Sequence, residues 1–282
     1  HCGNLVLDLL GGIILAWKEY SMSLKDKVVV VTGGAEGLGR TAALQCADVG
    51  AKVIVADVNL NGAGDTAKTI TSGGGRACAV AVDLAREDQV ACLIKQTEKT
   101  FGQLDILINC AGILLNAGQR VDQFSSKSWA EVIEVNLSGS FFCVKHAVPL
   151  MAKNGGGVLV LLASGAGIFG GSSSVAYAAS KGGVRGIALC VESQLQPLNI
   201  RIHVALPANM ATHMKIKAAG DSAEQHGESR QEAEAKIRAE CASPEASATF
   251  LTELVSDEGA VIAANQLVIS LGDWERLKAT EQ

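Results

Sequence analysis

The sequence predicts an α/β fold, a doubly wound parallel sheet of about seven strands with helices on both faces. Three observations lead to this fold class. From residue 27 onward, short runs of β-branched and aliphatic residues alternate with longer helical stretches. Each short run is almost continuously apolar, which is typical of strands that are buried on both faces. The length of 282 residues is long for one domain and short for two, so we expect one large sheet domain.

The strands and helices alternate regularly along the chain. Strand candidates lie at 28–31, 52–56, 77–82, 104–108, 158–162, 200–204 and, more weakly, 266–270. Helical windows lie at 38–49, 61–72, 86–101, 126–153, 174–195 and 244–256. Alternation of this kind is that of a Rossmann-type sheet, whose ligands bind at the carboxyl ends of the strands. We therefore expect functional residues just after strands.

The N-terminal part of the chain differs from the rest. We separate an apolar extension over 1–22 from a single Rossmann-type domain over 23–282. Residues 5–17 are apolar apart from Asp8, and as a helix they would span about 20 Å, short of a bilayer core. They also lack the basic region and cleavage site of a secretory signal. We expect no membrane span, and two possibilities stay open: a frayed extension, or a short helix packed against this protein or a membrane surface.

The stretch from His213 to Ser243 interrupts the alternation of strands and helices. It is polar and rich in Glu, Ala, Lys and Arg. It is either a solvated helical excursion or a mobile lid over the functional site. Because it follows a strand end, we favour a lid-like segment near 209–243 within the domain.

Composition and charge exclude some classes of function. The chain carries a net charge of −5 and no cluster of Lys and Arg, so we expect no nucleic-acid partner. Its eight cysteines are scattered and form no C-x-x-C pair. They indicate reduced, buried thiols in a cytoplasmic protein, without a metal site.

The glycine-rich segment over 32–39, TGGAEGLG, follows the first strand and opens the first helix. Its glycines let the backbone turn tightly and approach a pyrophosphate, whose charge is met by the helix N-terminus. Asp57 ends the second strand, where a carboxylate can accept hydrogen bonds from ribose hydroxyls and would repel a 2′-phosphate. Glu36 adds a second negative charge in the loop, so both residues favour NAD over NADP. Asp57 could instead be a plain helix N-cap.

A second group of residues could carry proton-transfer chemistry. Tyr177 and Lys181 are four residues apart on a predicted helix, so the ammonium can lie under the phenol and favour its ionised form. That would make the tyrosine usable as an acid or base near neutral pH. Ser164 precedes this pair by thirteen residues, after the fifth strand, where a hydroxyl could orient a substrate oxygen. Taken singly, Ser164 could also be a strand-end turn residue.

Together these motifs resemble the short-chain dehydrogenase/reductase family, in its single-domain, NAD-preferring type, over about residues 24–273. The family's T-G-x-x-x-G-x-G lies at 32–39, its N-N-A-G element at 109–112 as NCAG, and its helix asparagine at Asn136. The active-site set is Ser164 with Tyr177-x-x-x-Lys181. The resemblance, with the residues above, implies cofactor contacts from Gly33, Glu36, Gly37, Leu38, Gly39, Asp57, Asp83, Leu84, Asn109, Ala111, Gly112, Tyr177, Lys181, Pro207 and Thr212.

The resemblance also implies roles for the four catalytic residues. Tyr177 would be the base in oxidation and the acid in reduction, and Lys181 would stabilise its phenolate and bond the nicotinamide ribose. Ser164 would polarise the substrate oxygen. Asn136 would hold a water that relays protons from Lys181, although it could also be a satisfied side chain at a helix irregularity.

The expected substrate is small and apolar. The candidate substrate-binding residues are Ser164, Ile168, Phe169, Tyr177 and Met210, and such apolar walls suit a hydrophobic or cyclic secondary alcohol or ketone. We therefore expect an NAD-dependent oxidoreductase that interconverts the two. The alternatives are an NADPH-dependent ketone reductase and a nucleotide-binding scaffold without turnover. For the family, a homotetramer or homodimer through the helices near 126–153 and 174–195 is expected.

Some positions depart from the family pattern. Ala208 follows Pro207 where a glycine is usual, and it would be strained if that loop required a positive φ. His203 stands where an asparagine is common, and we interpret it as a structural histidine. The tail over 265–273 lacks the usual closing pair of glycines.

Overall fold

The computed structural model describes residues 23–170, 174–263 and 266–280. The apolar extension at 1–22 lies outside the described residues, so both possibilities for it stay predictions. Among the described residues, no helix is long and apolar enough to cross a membrane.

The described residues form one parallel sheet of seven strands, in the order β3-β2-β1-β4-β5-β6-β7. In chain order the strands are β1 Val28–Thr32, β2 Lys52–Asp57, β3 Arg76–Ala81, β4 Ile106–Asn109, β5 Gly157–Leu162, β6 Ile200–Leu206 and β7 Val268–Ser270. The chain crosses from β3 back past β1 to reach β4, so the strand order reverses beside β1. This confirms the predicted doubly wound sheet, and its switch point between β1 and β4 is where such folds bind ligands.

Helices cover both faces of the sheet. They are α1 Gly37–Asp48, α2 Leu60–Ser72, α3 Glu87–Phe101, α4 Ser126–Ile133, α5 Gly139–Lys153, α6 Ala166–Phe169, α7 Val175–Leu195, α8 His213–Gln225, α9 Arg230–Glu240, α10 Glu245–Leu254, α11 Asp257–Ile262 and α12 Leu271–Thr280.

The core consists of two apolar layers, one on each side of the sheet. Val29 and Val31 of β1 face the layer that contains α1, α2, α10 and α12. Val30 faces the other layer, with α3, α5 and α7. Successive side chains of a strand point to opposite faces, so a strand buried on both sides needs an unbroken apolar run. Each fully buried valine contributes about 1.5–3 kcal/mol relative to an exposed one.

Three helical regions differ in detail from the sequence prediction. The window at 126–153 is divided by one wide π-helical turn, Glu134–Ser138, between α4 and α5. The window at 244–256 ends at Leu254, and Ser256 caps a separate helix, α11, by accepting a hydrogen bond from the Gly259 N–H at 3.1 Å. A further helix, α12, follows β7 directly.

The cysteines follow the prediction only in part. Cys46 and Cys143 are buried, and burial raises the pKa of each thiol to about 12, so they are unreactive apolar residues. Cys92 and Cys190, however, are exposed on α3 and α7, so their prediction as buried residues was wrong. They occupy outward positions of amphipathic helices, and spacing among apolar neighbours does not identify those positions.

Candidate active site

The carboxyl edge of the sheet collects the residues that the sequence singled out. Gly33 follows β1, Asp57 ends β2, Ser164 follows β5 and Pro207 follows β6. Because all the strands are parallel, their carboxyl ends meet at this one edge. The fold therefore brings the glycine-rich turn and the Ser164–Tyr177–Lys181 set to the same side of the molecule.

The glycine-rich turn leaves the N-terminus of α1 open. Gly33 and Gly37 have φ values of +67° and +55°, which glycine adopts without strain. A Cβ at Gly39 would lie 2.1 Å from the Gly33 carbonyl oxygen, so the turn packs tightly on the helix. Glu36 precedes α1 without a side-chain cap bond. The N–H groups of the first turn of α1 can therefore bind an anion such as a pyrophosphate.

Asp57 points its carboxylate at this turn. The N–H of Ala35 donates to its Oδ2 at 3.0 Å, and the N–H of Asn59 donates to its Oδ1 at 2.9 Å. The N-cap of α2 is Asn59, whose Oδ1 accepts from the Gly62 N–H at 3.1 Å. The alternative interpretation of Asp57 as a helix cap was therefore wrong. Its partly exposed carboxylate keeps lone pairs for further donors.

Asp83 is partly buried and Leu84 is buried, just after β3. The Asp83 carboxylate accepts from the Ala85 N–H at 3.0 Å, and Leu84 is buried against Gly139. Leu84 could therefore contact a cofactor only through its backbone atoms. The cofactor contacts of both residues stay predictions.

Asn109, at the end of β4, is only 2% exposed. Its Oδ1 accepts from the Thr32 hydroxyl at 2.7 Å, and its Nδ2 donates to the Ser140 hydroxyl at 2.8 Å. The Ala111 N–H in turn donates to Thr32 Oγ1 at 3.2 Å. Asn109 thus joins β1, β4 and α5, and it holds the start of the loop that leads to Gly112.

Tyr177 lies on the first turn of α7, near Ser164. Burial raises the pKa of the phenol, and the nearby Ser164 side chain partly opposes that rise. The Tyr177–Ser164 pair places two hydroxyls where one substrate oxygen could contact both.

Lys181 is buried beneath this pair, with 4% of its surface exposed. Its Nζ donates to the Leu162 carbonyl at 2.7 Å and lies 5.7 Å from the centre of the Tyr177 ring. Burial lowers the pKa of Lys181 to about 8. The helix spacing thus placed the ammonium correctly. The expected lowering of the phenol pKa is not seen, because burial outweighs the other influences on Tyr177.

Asn136 lies in the π-helical turn between α4 and α5 and is fully buried. Its Oδ1 accepts from the Ile113 N–H at 2.8 Å, and its Nδ2 donates to the Ile113 carbonyl at 2.9 Å and to Ser180 Oγ at 3.1 Å. A Cβ at Gly112 would lie 3.3 Å from Asn136 Oδ1 and 3.5 Å from Lys181 Nζ. Asn136 therefore clamps the loop after β4 onto α7 beside Lys181. Its role in a proton relay stays a prediction.

The predicted lid is a pair of helices, α8 and α9. Its two ends are joined at the base, because the Ala211 N–H donates to the Ala242 carbonyl at 2.9 Å and the Ala242 N–H donates to the Asn209 carbonyl at 3.2 Å. Arg230 links the helices through carboxylates on both, including Asp221. The sequence did not single out Arg230, because its partners are brought together only by the helix pairing.

Helix α8, in the segment predicted to be a lid, contacts both sides of the candidate site. His213 at its start lies 3.4 Å from Glu36 in the glycine-rich turn, measured from Nδ1 to Oε1. Further along, Ser222 and His226 pack against Gly118 in the loop after β4. Thr212 caps α8, and its methyl lies near Gly37. The helix pair thus extends from the nucleotide turn to the loop that Asn136 clamps.

The candidate substrate walls differ in burial. Met210 is buried where the α8–α9 segment begins, and Ile168 is partly buried against the core. Phe169, in contrast, is 83% exposed at the end of α6. The structure places all three near strand ends, and their contacts with a substrate stay predictions.

Two departures from the family pattern cause no strain. Ala208 is not among the described residues with positive φ, and its N–H donates to Ser247 Oγ at 3.1 Å. His203 is buried in β6, with Nδ1 2.9 Å from the Gln266 carbonyl oxygen.

Comparison with known proteins agrees with this geometry. A family model for short chain dehydrogenase matches residues 27–223. Cyclohexanol dehydrogenase of Acinetobacter sp. (strain SE19) is 32% identical over 195 residues, which cover 69% of this chain and 77% of that protein. A 3-oxoacyl-(acyl-carrier-protein) reductase of Synechocystis sp. is 34% identical over 193 residues, 68% of this chain and 77% of its own length. The structure of levodione reductase is similar, with a TM-score of 0.79 at 26% identity over 89% of this chain and 98% of that one.

Proposed function

The chain belongs to the short-chain dehydrogenase/reductase family of oxidoreductases, and from this premise we propose that it is an NAD-dependent dehydrogenase. It interconverts a hydrophobic or cyclic secondary alcohol and the corresponding ketone by hydride transfer. The observation that carries the proposal is the contact of Tyr177 with both Ser164 and Lys181 at the carboxyl edge of the sheet. A tyrosine with these neighbours can exchange a proton with a substrate oxygen.

The residues at this edge fit a nicotinamide dinucleotide. The uncapped N-terminus of α1 supplies N–H groups for the pyrophosphate. Asp57, oriented by two backbone N–H groups, can accept hydrogen bonds from the adenosine ribose hydroxyls. When bound, the nicotinamide would accept hydride from the alcohol or supply it to the ketone.

Charge favours NAD over NADP in this proposal. The Asp57 carboxylate would face a 2′-phosphate directly, and like charges in close contact cost free energy. Glu36 adds a second carboxylate in the turn, and its nearby cation, His213, carries a charge only when protonated. An NADPH-dependent ketone reductase remains the second candidate, because the match to a 3-oxoacyl-(acyl-carrier-protein) reductase shows that related chains act as reductases.

The mechanism follows from the protonation states of the site. The raised pKa of Tyr177 keeps its phenol protonated at neutral pH, so it can donate a proton to the oxygen of a ketone. In the oxidation direction the phenolate takes the proton from the alcohol instead. Ser164 hydrogen-bonds the same oxygen and orients it towards Tyr177. The pKa of Lys181 is about 8, close to neutral pH. In its protonated form, Lys181 stabilises the phenolate of Tyr177.

The substrate class is supported by the apolar walls and by relatives. Ile168, Phe169 and Met210 would surround the substrate carbon skeleton with apolar surface. The proteins that this chain is similar to include a cyclohexanol dehydrogenase and a levodione reductase. The match to a 3-oxoacyl-(acyl-carrier-protein) reductase counts against a narrow assignment, so the proposal is limited to secondary alcohols and ketones of hydrophobic or cyclic type.

We also infer a homodimer or homotetramer in the cytoplasm. Trp129, Phe141 and Leu189 are exposed apolar residues on α4, α5 and α7. These helices come from the two regions that the family resemblance implies as subunit contacts. The described cysteines are all free, which fits a reducing compartment.

The test is a turnover assay with the purified full chain. Cyclic and acyclic secondary alcohols are supplied with NAD⁺ or NADP⁺, and formation of the reduced coenzyme is followed by its absorbance. We expect turnover with NAD⁺ and a cyclic alcohol. Preference for NADP⁺ would favour the reductase alternative. Binding of NADH without turnover on any alcohol or ketone would favour the scaffold alternative.

A further inference from the structure

A cavity of about 190 Å³ lies at the opposite end of the sheet from the catalytic residues. It forms because β7 pairs only with Val204, Ala205 and Leu206 of β6. On its other side, β6 pairs with β5 from Ile200 to Ala205. The first residues of β6 therefore have no strand neighbour on the β7 side within the described part of the chain. The end of α7, the start of β6 and Gln266 line the resulting space.

Two buried nitrogen atoms in the wall of this cavity lack hydrogen-bond partners among the described residues. They are Arg201 Nη1 and His203 Nε2. The two residues are separated by one position on the strand, so their side chains lie on the same face. His203 is 4% exposed, and a buried polar atom without a partner costs roughly 1–3 kcal/mol. An arrangement that leaves both atoms in one cavity indicates that a ligand or ordered water supplies the missing partners.

The state of the His203 ring follows from its other nitrogen. Nδ1 lies 2.9 Å from the Gln266 carbonyl oxygen, and a carbonyl can only accept. Nδ1 therefore carries the proton, and Nε2 of the neutral ring presents a lone pair to the cavity. Burial lowers the pKa of His203 to about 4, so the ring is neutral at physiological pH. Arg201 contributes to this lowering through its positive charge.

The positive charge of Arg201 is poorly balanced. Its Nη2 donates to the Ser256 carbonyl at 3.3 Å, and none of the described carboxylates forms a salt bridge with it. Burial lowers its pKa, and Asp257 on α11 opposes that effect only as a nearby charge. Glu192 on α7 is the carboxylate in the cavity wall. A partly buried cation with so little compensation attracts an anion.

We propose that this cavity binds a small carboxylate anion, with Arg201 Nη1 donating one hydrogen bond to it and His203 Nε2 donating the second. The second bond requires that His203 take up one proton from solvent as the anion binds. The volume of about 190 Å³ is sufficient for a carboxylate with a few carbon atoms. Along β6, Arg201 and His203 lie about 17 Å and about 10 Å from the carboxyl edge at Leu206, and the site does not depend on the proposed catalytic function.

Proton uptake gives the site a distinctive pH dependence. Between the pKa of free His203 and its higher pKa in the complex, affinity for the anion should rise about tenfold for each unit that the pH falls. The other charged groups around the cavity are Arg201, Glu192 and Asp257. Glu192→Gln must keep the pH dependence if His203 is its source.

The test uses the full chain labelled with ¹³C-histidine and titrated with sodium acetate at several pH values. The His203 ring signal is identified with His203→Asn, whose amide can keep the bond to the Gln266 carbonyl while lacking Nε2. We expect a saturable shift of the His203 signal and an affinity that rises with falling pH. His203→Asn should remove the pH dependence and weaken acetate binding at least about tenfold, the value of one lost hydrogen bond of 1.4 kcal/mol.

Two controls make the result specific. Arg201→Met should abolish acetate binding, whereas Arg76→Met, which removes an exposed arginine on β3, should leave it unchanged. Circular dichroism and thermal unfolding check that each variant is folded. The absence of a saturable shift with acetate or formate would overturn the proposal and assign both atoms to ordered water. Binding of inorganic phosphate alone, or acetate binding that His203→Asn leaves intact, would also overturn it.

Discussion

Replacing Lys181 by methionine should stabilise the fold at neutral pH while it impairs catalysis. Burial lowers the pKa of Lys181 from 10.5 to about 8. At about 1.4 kcal/mol for each pKa unit, the charged side chain costs roughly 3 kcal/mol in the folded state. Below pH 8 both the folded and the unfolded protein carry this charge, and only the folded protein has the cost. The lost hydrogen bond to the Leu162 carbonyl subtracts about 1–3 kcal/mol at every pH.

The sign of the pH dependence follows from the lowered pKa. Between about pH 8 and 10.5 the unfolded chain keeps its proton on Lys181 and the folded chain releases it, so wild-type stability rises relative to the variant. The difference in unfolding free energy, Lys181→Met minus wild type, should therefore fall by roughly 3 kcal/mol across this window. Urea unfolding of both proteins at matched pH values measures it. Lys99→Met, which removes an exposed lysine of α3, is the matched control. If the difference in unfolding free energy stays constant with pH, the claim that burial destabilises the Lys181 ammonium is refuted.

Three further predictions concern the remaining site residues. Asp57→Asn should raise the affinity for NADPH relative to NADH at least about tenfold, because removing a unit charge near a 2′-phosphate is worth more than ~1.4 kcal/mol; fluorescence titration of both coenzymes measures the ratio. Asn136→Ala should lower the unfolding free energy by about 1–3 kcal/mol, because it leaves buried backbone groups of Ile113 without partners; Asn61→Ala, at an exposed position of α2, is the control in urea unfolding. The raised pKa of Tyr177 predicts that kcat/KM for alcohol oxidation rises with pH in the alkaline range while that for ketone reduction falls; an acidic optimum for oxidation would contradict it.

The sheet could be predicted closely from the sequence because its signal is local. A strand buried on both faces must be apolar at every position, so β1 and β5 were visible as unbroken aliphatic runs. The order of the functional residues was equally visible, because each follows a strand and parallel strands bring their carboxyl ends together. Ser164, Tyr177 and Lys181 therefore meet in the structure as their spacing predicted.

Features that depend on contacts between distant parts of the chain could not be predicted in this way. From the sequence, a helix irregularity at Asn136 was only an alternative interpretation. The π-helical turn at Glu134–Ser138 accompanies the bonding of Asn136 to the backbone of Ile113, a contact that helical periodicity does not encode. The pKa of Tyr177 depends on how deeply α7 packs, and helix spacing gives only the neighbour, Lys181. The position of Asp57 at the end of β2 was predicted correctly. That Asp57 does not cap α2 became evident only from the structure, where Asn59 is the N-cap.

The most direct test of the proposed chemistry compares wild type with Tyr177→Phe in the oxidation of a cyclic secondary alcohol by NAD⁺. Phenylalanine keeps the ring over Lys181 and removes only the hydroxyl that exchanges the proton. We expect the rate of NADH formation to fall by about 10²–10⁴-fold, the usual contribution of a general acid or base, with NADH binding retained. An oxidation rate that Tyr177→Phe leaves unchanged would contradict the assignment of Tyr177 as the catalytic acid and base.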